Sequence, residues 1–250
     1  MSTEAVIETH ALTKIYNGQT AVEQLTFSVN PGEIFGFLGP NGAGKTTTLL
    51  MLLGLTEPTS GSAKVMGLDP TRDPIKVKAM IGYLQENMGF YTDLNARQML
   101  QFIAELNAIR PDAAEARITE ALQTVGLAEE QDKKIGAYSR GMRQRLGLAE
   151  LLIKDSKVAF LDEPTLGLDP EATHRMIEQI QSLSRDKKMT ILLSSHMLHQ
   201  VQQICHRIGI MIKGRMVAQG GIDQLANEKF GVGKEKYTLE QLYMKYFQEA

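Results

Sequence analysis

Cysteine, long apolar runs and an excess of one charge are all scarce in this chain of 250 residues. Its one cysteine, Cys205, cannot form an internal disulfide, which favours a reducing compartment. No apolar run approaches the roughly 18–20 residues that a helix needs to span a bilayer. Glu4 and Glu8 lie near the N-terminus without an apolar stretch, so we expect no secretory signal.

Positive charge does not predominate, since 27 Lys and Arg residues face 29 Asp and Glu residues. Proteins that bind nucleic acid usually carry a basic surface, so we expect no nucleic-acid partner. The chain is 43% hydrophobic and 22% charged, which is ordinary for a globular protein. Its length suits one large domain, or a core with a subdomain.

The most specific motif is glycine-rich. Residues 39–46 (Gly-Pro-Asn-Gly-Ala-Gly-Lys-Thr) match the phosphate-binding pattern G-x-x-x-x-G-K-[ST] at every fixed position. Glycines let the backbone wrap around an anion and point its amides inward. Lys45, expected on an exposed loop, would meet the β- and γ-phosphates, and Thr46 would offer its hydroxyl to magnesium. The flanking patterns predict a buried strand at 34–38 and a helix at 47–53 whose N-terminus faces the phosphates.

A second constellation follows an apolar strand pattern at 158–161, which ends on Asp162 and Glu163. A buried strand that ends in paired carboxylates needs a cation or a reaction to justify them. Asp162 is placed to hold magnesium through its water shell, and Glu163 to act as general base on the attacking water. Two solvated acids at a strand end are the alternative, which the upstream phosphate-binding motif disfavours.

Strand and helix patterns alternate along the rest of the chain. Further short strands are predicted at 6–7, 27–29, 81–84, 191–193, 208–212 and 216–218. The stretch 58–67 is rich in turn residues, and no strand is predicted there. Residues 87–155 carry helical patterns instead. The alternation predicts an α/β fold with a mostly parallel sheet, and every chemical motif is expected directly after a strand, at the carboxyl edge.

These motifs, in this order and over nearly the whole length, resemble the nucleotide-binding subunit of an ATP-binding cassette (ABC) transporter. The resemblance implies a P-loop NTPase (RecA-like) core with an N-terminal antiparallel β subdomain and an inserted α-helical subdomain. It implies one ABC ATPase domain over 1–250, with the nucleotide-binding core at 1–86 and 156–220, the helical signature subdomain at 87–155 and a C-terminal tail at 221–250.

The resemblance also assigns roles to four residues outside the two motifs. Tyr16 would stack on adenine, with a half-buried strand tyrosine as the alternative. Gln85 would reach magnesium or the attacking water and sense the membrane partner. Asp169 would lie in the loop that crosses a dimer interface. His196 would contact the γ-phosphate, although a histidine at a strand end is often structural.

The family signature corresponds to residues 138–142 (Tyr-Ser-Arg-Gly-Met), where the common form is Leu-Ser-Gly-Gly-Gln. Ser139 and Gly141 are kept, while Arg140 replaces the first glycine and Met142 the glutamine. In the family, the serine and the backbone amides of a helix N-terminus bind the γ-phosphate of a nucleotide that the other subunit holds. Met142 cannot make a polar contact as glutamine would.

The resemblance therefore implies ATP and Mg²⁺ as cofactors and ATP hydrolysis as the activity. The expected nucleotide contacts are Tyr16, Gly39, Pro40, Asn41, Gly42, Ala43, Gly44, Lys45, Thr46, Thr47, Ser139, Gly141 and Asp169. The expected catalytic residues are Glu163, His196 and Gln85, and the expected magnesium ligands are Thr46, Gln85 and Asp162.

Two copies of the chain would form a homodimer with two equal sites. A separate integral-membrane permease would carry the substrate, which places the chain at the cytoplasmic face of the membrane. By analogy, the signature and the C-terminal region are most similar to ATPases of ABC-2 exporters. An importer ATPase and a soluble, non-transport ABC ATPase remain as alternatives. A P-loop kinase is disfavoured, since it would have no signature helix.

Overall fold

The computed structural model of the chain describes residues 4–230 and 238–249. Their strands are β1 (Ile7–Tyr16), β2 (Gln19–Val29), β3 (Ile34–Leu38), β4 (Ser60–Val65), β5 (Ile81–Leu84), β6 (Val158–Asp162), β7 (Thr190–Ser195), β8 (Arg207–Ile212) and β9 (Arg215–Gly220). Their α-helices are α1 (Lys45–Leu52), α2 (Pro74–Met80), α3 (Ala96–Leu106), α4 (Pro111–Thr124), α5 (Arg140–Ile153), α6 (Pro170–Lys187), α7 (Leu198–Ile204), α8 (Ile222–Phe230) and α9 (Leu239–Glu249).

The larger sheet has the strand order β5-β6-β7-β3-β8-β9, and only β9 runs antiparallel to its neighbour. Every residue of β3 and β6 is buried, as expected for central strands of a parallel sheet that is covered on both faces. The carboxyl ends of β3, β5, β6 and β7 therefore lie at one edge. The predicted α/β fold with a mostly parallel sheet is confirmed.

The smaller sheet is antiparallel, in the order β2-β1-β4, which confirms the predicted N-terminal β subdomain. Its Phe27 packs against Phe37 of β3 with ring centroids 4.8 Å apart, so the two sheets share a core. The prediction of turns at 58–67 was wrong, because β4 lies within that stretch. Small and polar residues dominate β4, and its strand conformation depends on pairing with β1.

The predicted helical block between β5 and β6 is present as α3, α4 and α5. Asn95 begins α3 with a reciprocal capping box, in which its side chain accepts from the Gln98 backbone and Gln98 returns the bond. The apolar sides of these helices pack on the main core, beside β5 and β6. The limits 87 and 155 of this subdomain stay a prediction. The short helix α2, with Val77 as its one buried residue, was not predicted.

The C-terminal region contains two helices in its described part. Leu239 and Leu242 of α9 are fully buried, and α9 packs on α7, α8 and β8. Residues 231–237 and 250 of the predicted tail lie outside the described residues, and the tail boundary stays a prediction. Within residues 4–230 and 238–249, every helix falls short of the length and apolarity that a bilayer span requires.

Candidate nucleotide-binding site

The phosphate loop (residues 39–46) joins β3 to α1, and two of its glycines are required by space. A Cβ on Gly44, whose φ is +99°, would lie 2.5 Å from the carbonyl oxygen of Ala21. A Cβ on Gly39 would lie 2.3 Å from the carbonyl oxygen of Met211. The helix α1 begins at Lys45, two residues earlier than predicted. Its first turn leaves backbone N–H groups free beside the loop, which suits an anion.

Lys45 is buried, with 6% of its surface exposed, and the prediction of an exposed position was wrong. Its Nζ donates to the carbonyl oxygen of Gly39 at 2.7 Å and lies 3.6 Å from Oε1 of Glu163. Burial lowers the pKa of Lys45, while the nearby charges of Glu163 and Asp162 raise it. The ammonium group thus contacts both the phosphate loop and Glu163, the predicted general base.

Asp162, at the end of β6, is 4% exposed and surrounded by hydroxyl groups. Thr46 Oγ1 donates to Oδ2 of Asp162 at 3.0 Å, so the two predicted magnesium ligands touch. Ser194 of β7 donates from Oγ to Oδ1 of Asp162. Burial, together with the charge of the nearby Asp162, raises the pKa of Tyr83 on β5. Sequence reasoning missed Tyr83 and Ser194; their one signal was a hydroxyl group within or directly after an apolar strand pattern.

Glu163 follows in a left-handed conformation, with φ +48°, which non-glycine residues seldom adopt and which is costly. This turn brings its Oε2 within 3.0 Å of Nδ1 of His196, directly after β7. Its other oxygen, Oε1, is buried and has no hydrogen-bond partner among the described residues. Oε1 is within ion-pair distance of Lys45 Nζ but accepts no hydrogen bond, so it can accept a proton from water, as the predicted base must.

Gln85 and Tyr16 lie outside the network of contacts around Lys45, Asp162 and Glu163. Gln85 follows β5 and is exposed, without a hydrogen bond or ion pair to the other predicted ligands in the described part of the chain. Tyr16 is 42% exposed at the end of β1, and Lys14 Nζ lies 4.8 Å from its ring centroid. The hairpin that starts at Tyr16 returns through Ala21, which abuts Gly44 of the phosphate loop.

The oxygen donors of this site fit a magnesium ion. The threonine hydroxyl of Thr46 and the carboxylate of Asp162, which are in contact, are hard oxygen ligands of the kind that Mg²⁺ prefers. The described residues contain no cluster of three or more His, Cys, Asp or Glu residues that could hold a metal ion. Mg²⁺ commonly completes its shell with substrate phosphates and water, so this small donor set suits a metal that arrives with a nucleotide.

The signature serine begins a helix. Ser139 is the N-cap of α5, and its Oγ accepts from the backbone N–H of Met142 at 3.2 Å. Gly141 lies close to α6, since a Cβ there would be 3.1 Å from the Cβ of Ala172. No strand precedes Ser139, so the expectation that every chemical motif follows a strand was wrong here. The N-terminus of α5 supplies the free amides instead.

Asp169 caps the neighbouring helix α6, where its Oδ1 accepts from the backbone N–H of Ala172 at 2.8 Å. The N-termini of α5 and α6 therefore lie side by side. Within the described residues, Ser139 and Asp169 make no hydrogen bond with the phosphate loop or with Glu163. One chain thus presents two surfaces, the phosphate loop with its acids and the paired helix N-termini.

A phosphate loop between a buried strand and a helix, with an acidic pair on a parallel strand two places away, defines a P-loop nucleoside triphosphatase. The family model described as "ABC transporter" matches residues 22–166, more than half of the chain. The chain therefore belongs to the ABC transporter family, as an ATP-binding and ATP-hydrolysing subunit.

Named relatives agree with this assignment. The chain is 41% identical over 220 residues to the bacitracin transport ATP-binding protein BcrA of Bacillus licheniformis, covering 88% of this chain and 71% of that one. It is 38% identical over 227 residues to the Nod factor export ATP-binding protein I of Burkholderia pseudomallei, covering 91% and 74%. A solved ATP-binding subunit of an ABC transporter superposes with a TM-score of 0.85 at 28% identity, covering 97% and 99%.

Proposed function

We propose that two copies of this chain close on ATP and thereby power export through a separate membrane permease. The observation that carries this proposal is the separation of the phosphate loop from the paired N-termini of α5 and α6. Each half is built to bind phosphate, and neither completes a site alone. A two-fold dimer would place the Ser139 surface of one copy over the phosphate loop of the other.

In this proposal the buried cluster carries the chemistry. Lys45 and the loop amides would hold the β- and γ-phosphates, and Thr46 and Asp162 would hold magnesium, which supplies charge neutralisation. Glu163 would accept the proton of the attacking water through Oε1, which accepts no hydrogen bond in the described part of the chain. His196, which is 3.0 Å from Oε2, would fix the orientation of Glu163 and contact the γ-phosphate.

The direction of transport rests on the relatives, whose names mention bacitracin transport and Nod factor export. An importer ATPase and a soluble ABC ATPase are the competing functions. Co-purification from membranes with a permease, and without a solute-binding protein, would support export from a position at the cytoplasmic face. Recovery of the chain free of any membrane protein would favour the soluble alternative.

The same proposal requires a permease contact, and a groove formed by residues that follow Gln85 in the chain is suited to it. The groove is about 470 Å³ in volume and is lined by Phe90, Tyr91, Thr92, Asp93, Leu94 and Phe102. Met88, Phe90 and Leu94 pack partly against the chain's own core. Tyr91 does not, because it is 59% exposed, with its ring edge-on to Phe102 at 5.6 Å. We therefore propose that Tyr91 is the side chain that contacts a short helix of the permease.

Tyr91→Asp should weaken permease association and transport while ATP binding by the isolated subunit survives. Ile75→Asp is the matched control, since Ile75 is 77% exposed on helix α2 and does not line the groove. Co-purification of each variant with the permease measures the difference. Equal recovery of both variants would place the docking surface elsewhere.

The variant Glu163→Gln tests both the proposed ATP-dependent dimer and the role of Glu163 as general base. ATP binding should persist and turnover should fall by a factor of about 10² or more, as expected for loss of a general base. An ATP-dependent dimer should then accumulate, and gel filtration with and without ATP would detect it. Turnover near that of the wild type would refute the assignment of Glu163.

A further inference from the structure

The carboxylate of Asp162 lies among hydroxyl-bearing side chains from three different elements. Thr46 of α1 donates to it at 3.0 Å, and Ser194 of β7 donates to its Oδ1. Tyr83 lies on the neighbouring strand β5, near enough for the charge of Asp162 to act on its hydroxyl. Thr46 already has a role as a magnesium ligand. The hydroxyls of Tyr83 and Ser194 have no role in the chemistry proposed so far.

The sheet register explains why these two residues flank Asp162. Ser194 is the direct partner of Asp162 in the parallel pair β6–β7. Tyr83 pairs with Phe160 in β5–β6. Side chains two residues apart on a strand share a face, so Tyr83 lies on the same face as Phe160 and Asp162. Strands on both sides of β6 thus place a hydroxyl-bearing side chain on the face that carries its terminal carboxylate.

Ser194 has a second contact, which links Asp162, the proposed magnesium ligand, to Glu163, the proposed general base. It is fully buried, and its Oγ accepts from the backbone N–H of Glu163 at 3.3 Å while it donates to Asp162. Tyr83 is only half-buried, and burial together with the charge of Asp162 raises its pKa to about 12.

We propose that Tyr83 and Ser194 are positioning residues that hold the Asp162 carboxylate in the orientation that the magnesium ion of the nucleotide requires. An ionised carboxylate is an acceptor only, so its rotation is fixed by the donors around it. If the hydroxyl of Thr46 bound the metal, Asp162 would lose that donor and keep Ser194 on β7, with Tyr83 on the other side of β6. Partners of a metal-binding residue commonly matter to the affinity for the metal almost as much as the ligand itself.

The proposal rests on magnesium nucleotide as the ligand, and a binding measurement without turnover tests it. The affinity for a fluorescent, non-hydrolysable ATP analogue is measured in excess Mg²⁺ and in EDTA. The ratio of the two dissociation constants gives the magnesium-dependent gain. The variants are Tyr83→Phe, Ser194→Ala and Ser194→Thr. Tyr83→Phe keeps the ring that packs against the core shared by the two sheets. Ser184→Ala is the control, because the buried Ser184 Oγ donates to Gly32, away from the site.

We expect the magnesium-dependent gain to fall about tenfold in Tyr83→Phe and in Ser194→Ala, with affinity in EDTA within about twofold of the wild type. Ser194→Thr and Ser184→Ala should keep the full gain. An undiminished gain in Tyr83→Phe and Ser194→Ala, or equal losses with and without Mg²⁺, would overturn the proposal. If Ser194→Ala fails to fold, Tyr83→Phe decides. A wild type without any magnesium-dependent gain would instead refute magnesium as the cofactor.

Discussion

Lys45 shows how far the surroundings of a single residue can change an expectation. The motif identifies it as a phosphate-binding lysine on a loop, where its loss should matter little to folding. In the structure its ammonium group is buried between the carbonyl oxygen of Gly39 and the carboxylate of Glu163. Its removal would leave Glu163 buried with His196 as its remaining ion-pair partner in the described chain.

Lys45→Ala should therefore weaken ATP binding and also lower the free energy of unfolding without nucleotide, by about 1–3 kcal/mol. Urea unfolding without nucleotide measures the loss, with Lys64→Ala as the exposed control. The double variant Lys45→Ala/Glu163→Gln should recover part of the loss, because the uncompensated charge is gone. A stability of Lys45→Ala equal to that of the wild type would show that the buried pair is not stabilising.

The helix α5 has two features that its sequence pattern does not reveal. Ser139 stabilises its first turn as N-cap, in the same place where it is expected to meet a partner's nucleotide. Near its other end, burial raises the pKa of Glu150 from 4.5 to about 7. The side chain of Glu150 has no hydrogen bond or ion pair in the described part of the chain.

Ser139 should therefore be sensitive on two counts. Ser139→Ala should cost about 1 kcal/mol of stability through the lost cap, measured by urea unfolding. Ser139→Arg should abolish ATPase activity through its bulk in the proposed interface, while Met142→Gln should change it only modestly. A loss in Met142→Gln as large as that in Ser139→Arg would contradict the view that Ser139 and backbone amides make the contact.

Glu150 should make stability depend on pH. Below about pH 4.5 the side chain is protonated in both the folded and the unfolded state, and its burial carries no charge penalty. Between about pH 4.5 and 7 the unfolded chain ionises and the folded chain does not, so stability falls as pH rises and then stays low. Glu150→Gln should thus gain about 1–3 kcal/mol at pH 8 and almost nothing at pH 4.5.

Urea unfolding at the two pH values checks this prediction, with the exposed Glu240→Gln as the control. An equal gain at both pH values would mean that the substitution improves packing rather than removing a buried charge.

At the level of elements, the predictable ones were those with a strong local pattern. The runs 34–38 in β3 and 158–161 in β6 are apolar, and their short length between a turn and a motif favours a buried strand over a helix. In contrast, β4 (Ser-Gly-Ser-Ala-Lys-Val) has no such pattern, and the hydrogen bonds to β1 make it a strand. The helix α2 buries little of its surface and gave too weak a periodicity to detect.

In the proposed dimer each chain supplies the phosphate loop of one site and the Ser139 surface of the other, and this leads to a complementation test. Lys45→Ala should inactivate the phosphate-loop half and Ser139→Arg the signature half. Each homodimer would be inactive. A heterodimer would contain one site with both defects and one intact site. An equal mixture should therefore regain about a quarter of wild-type ATPase activity, since half the dimers are mixed and half their sites are intact.

The mixture of each variant with wild-type chain provides the control, because it reports any effect of mixing alone. No recovery in the mixture of the two variants would contradict shared sites whose halves act independently.

The sequence alone determined the family, the phosphate loop, and the acidic pair at Asp162 and Glu163. These assignments depend on residue types at fixed local spacing, which a short segment of chain encodes completely. Only the tertiary structure placed Ser194 and Tyr83 around Asp162, buried Lys45 against Glu163, and set the N-termini of α5 and α6 side by side. These contacts join elements that are far apart in the chain, and the sheet register and the packing of the helices decide which side chains meet.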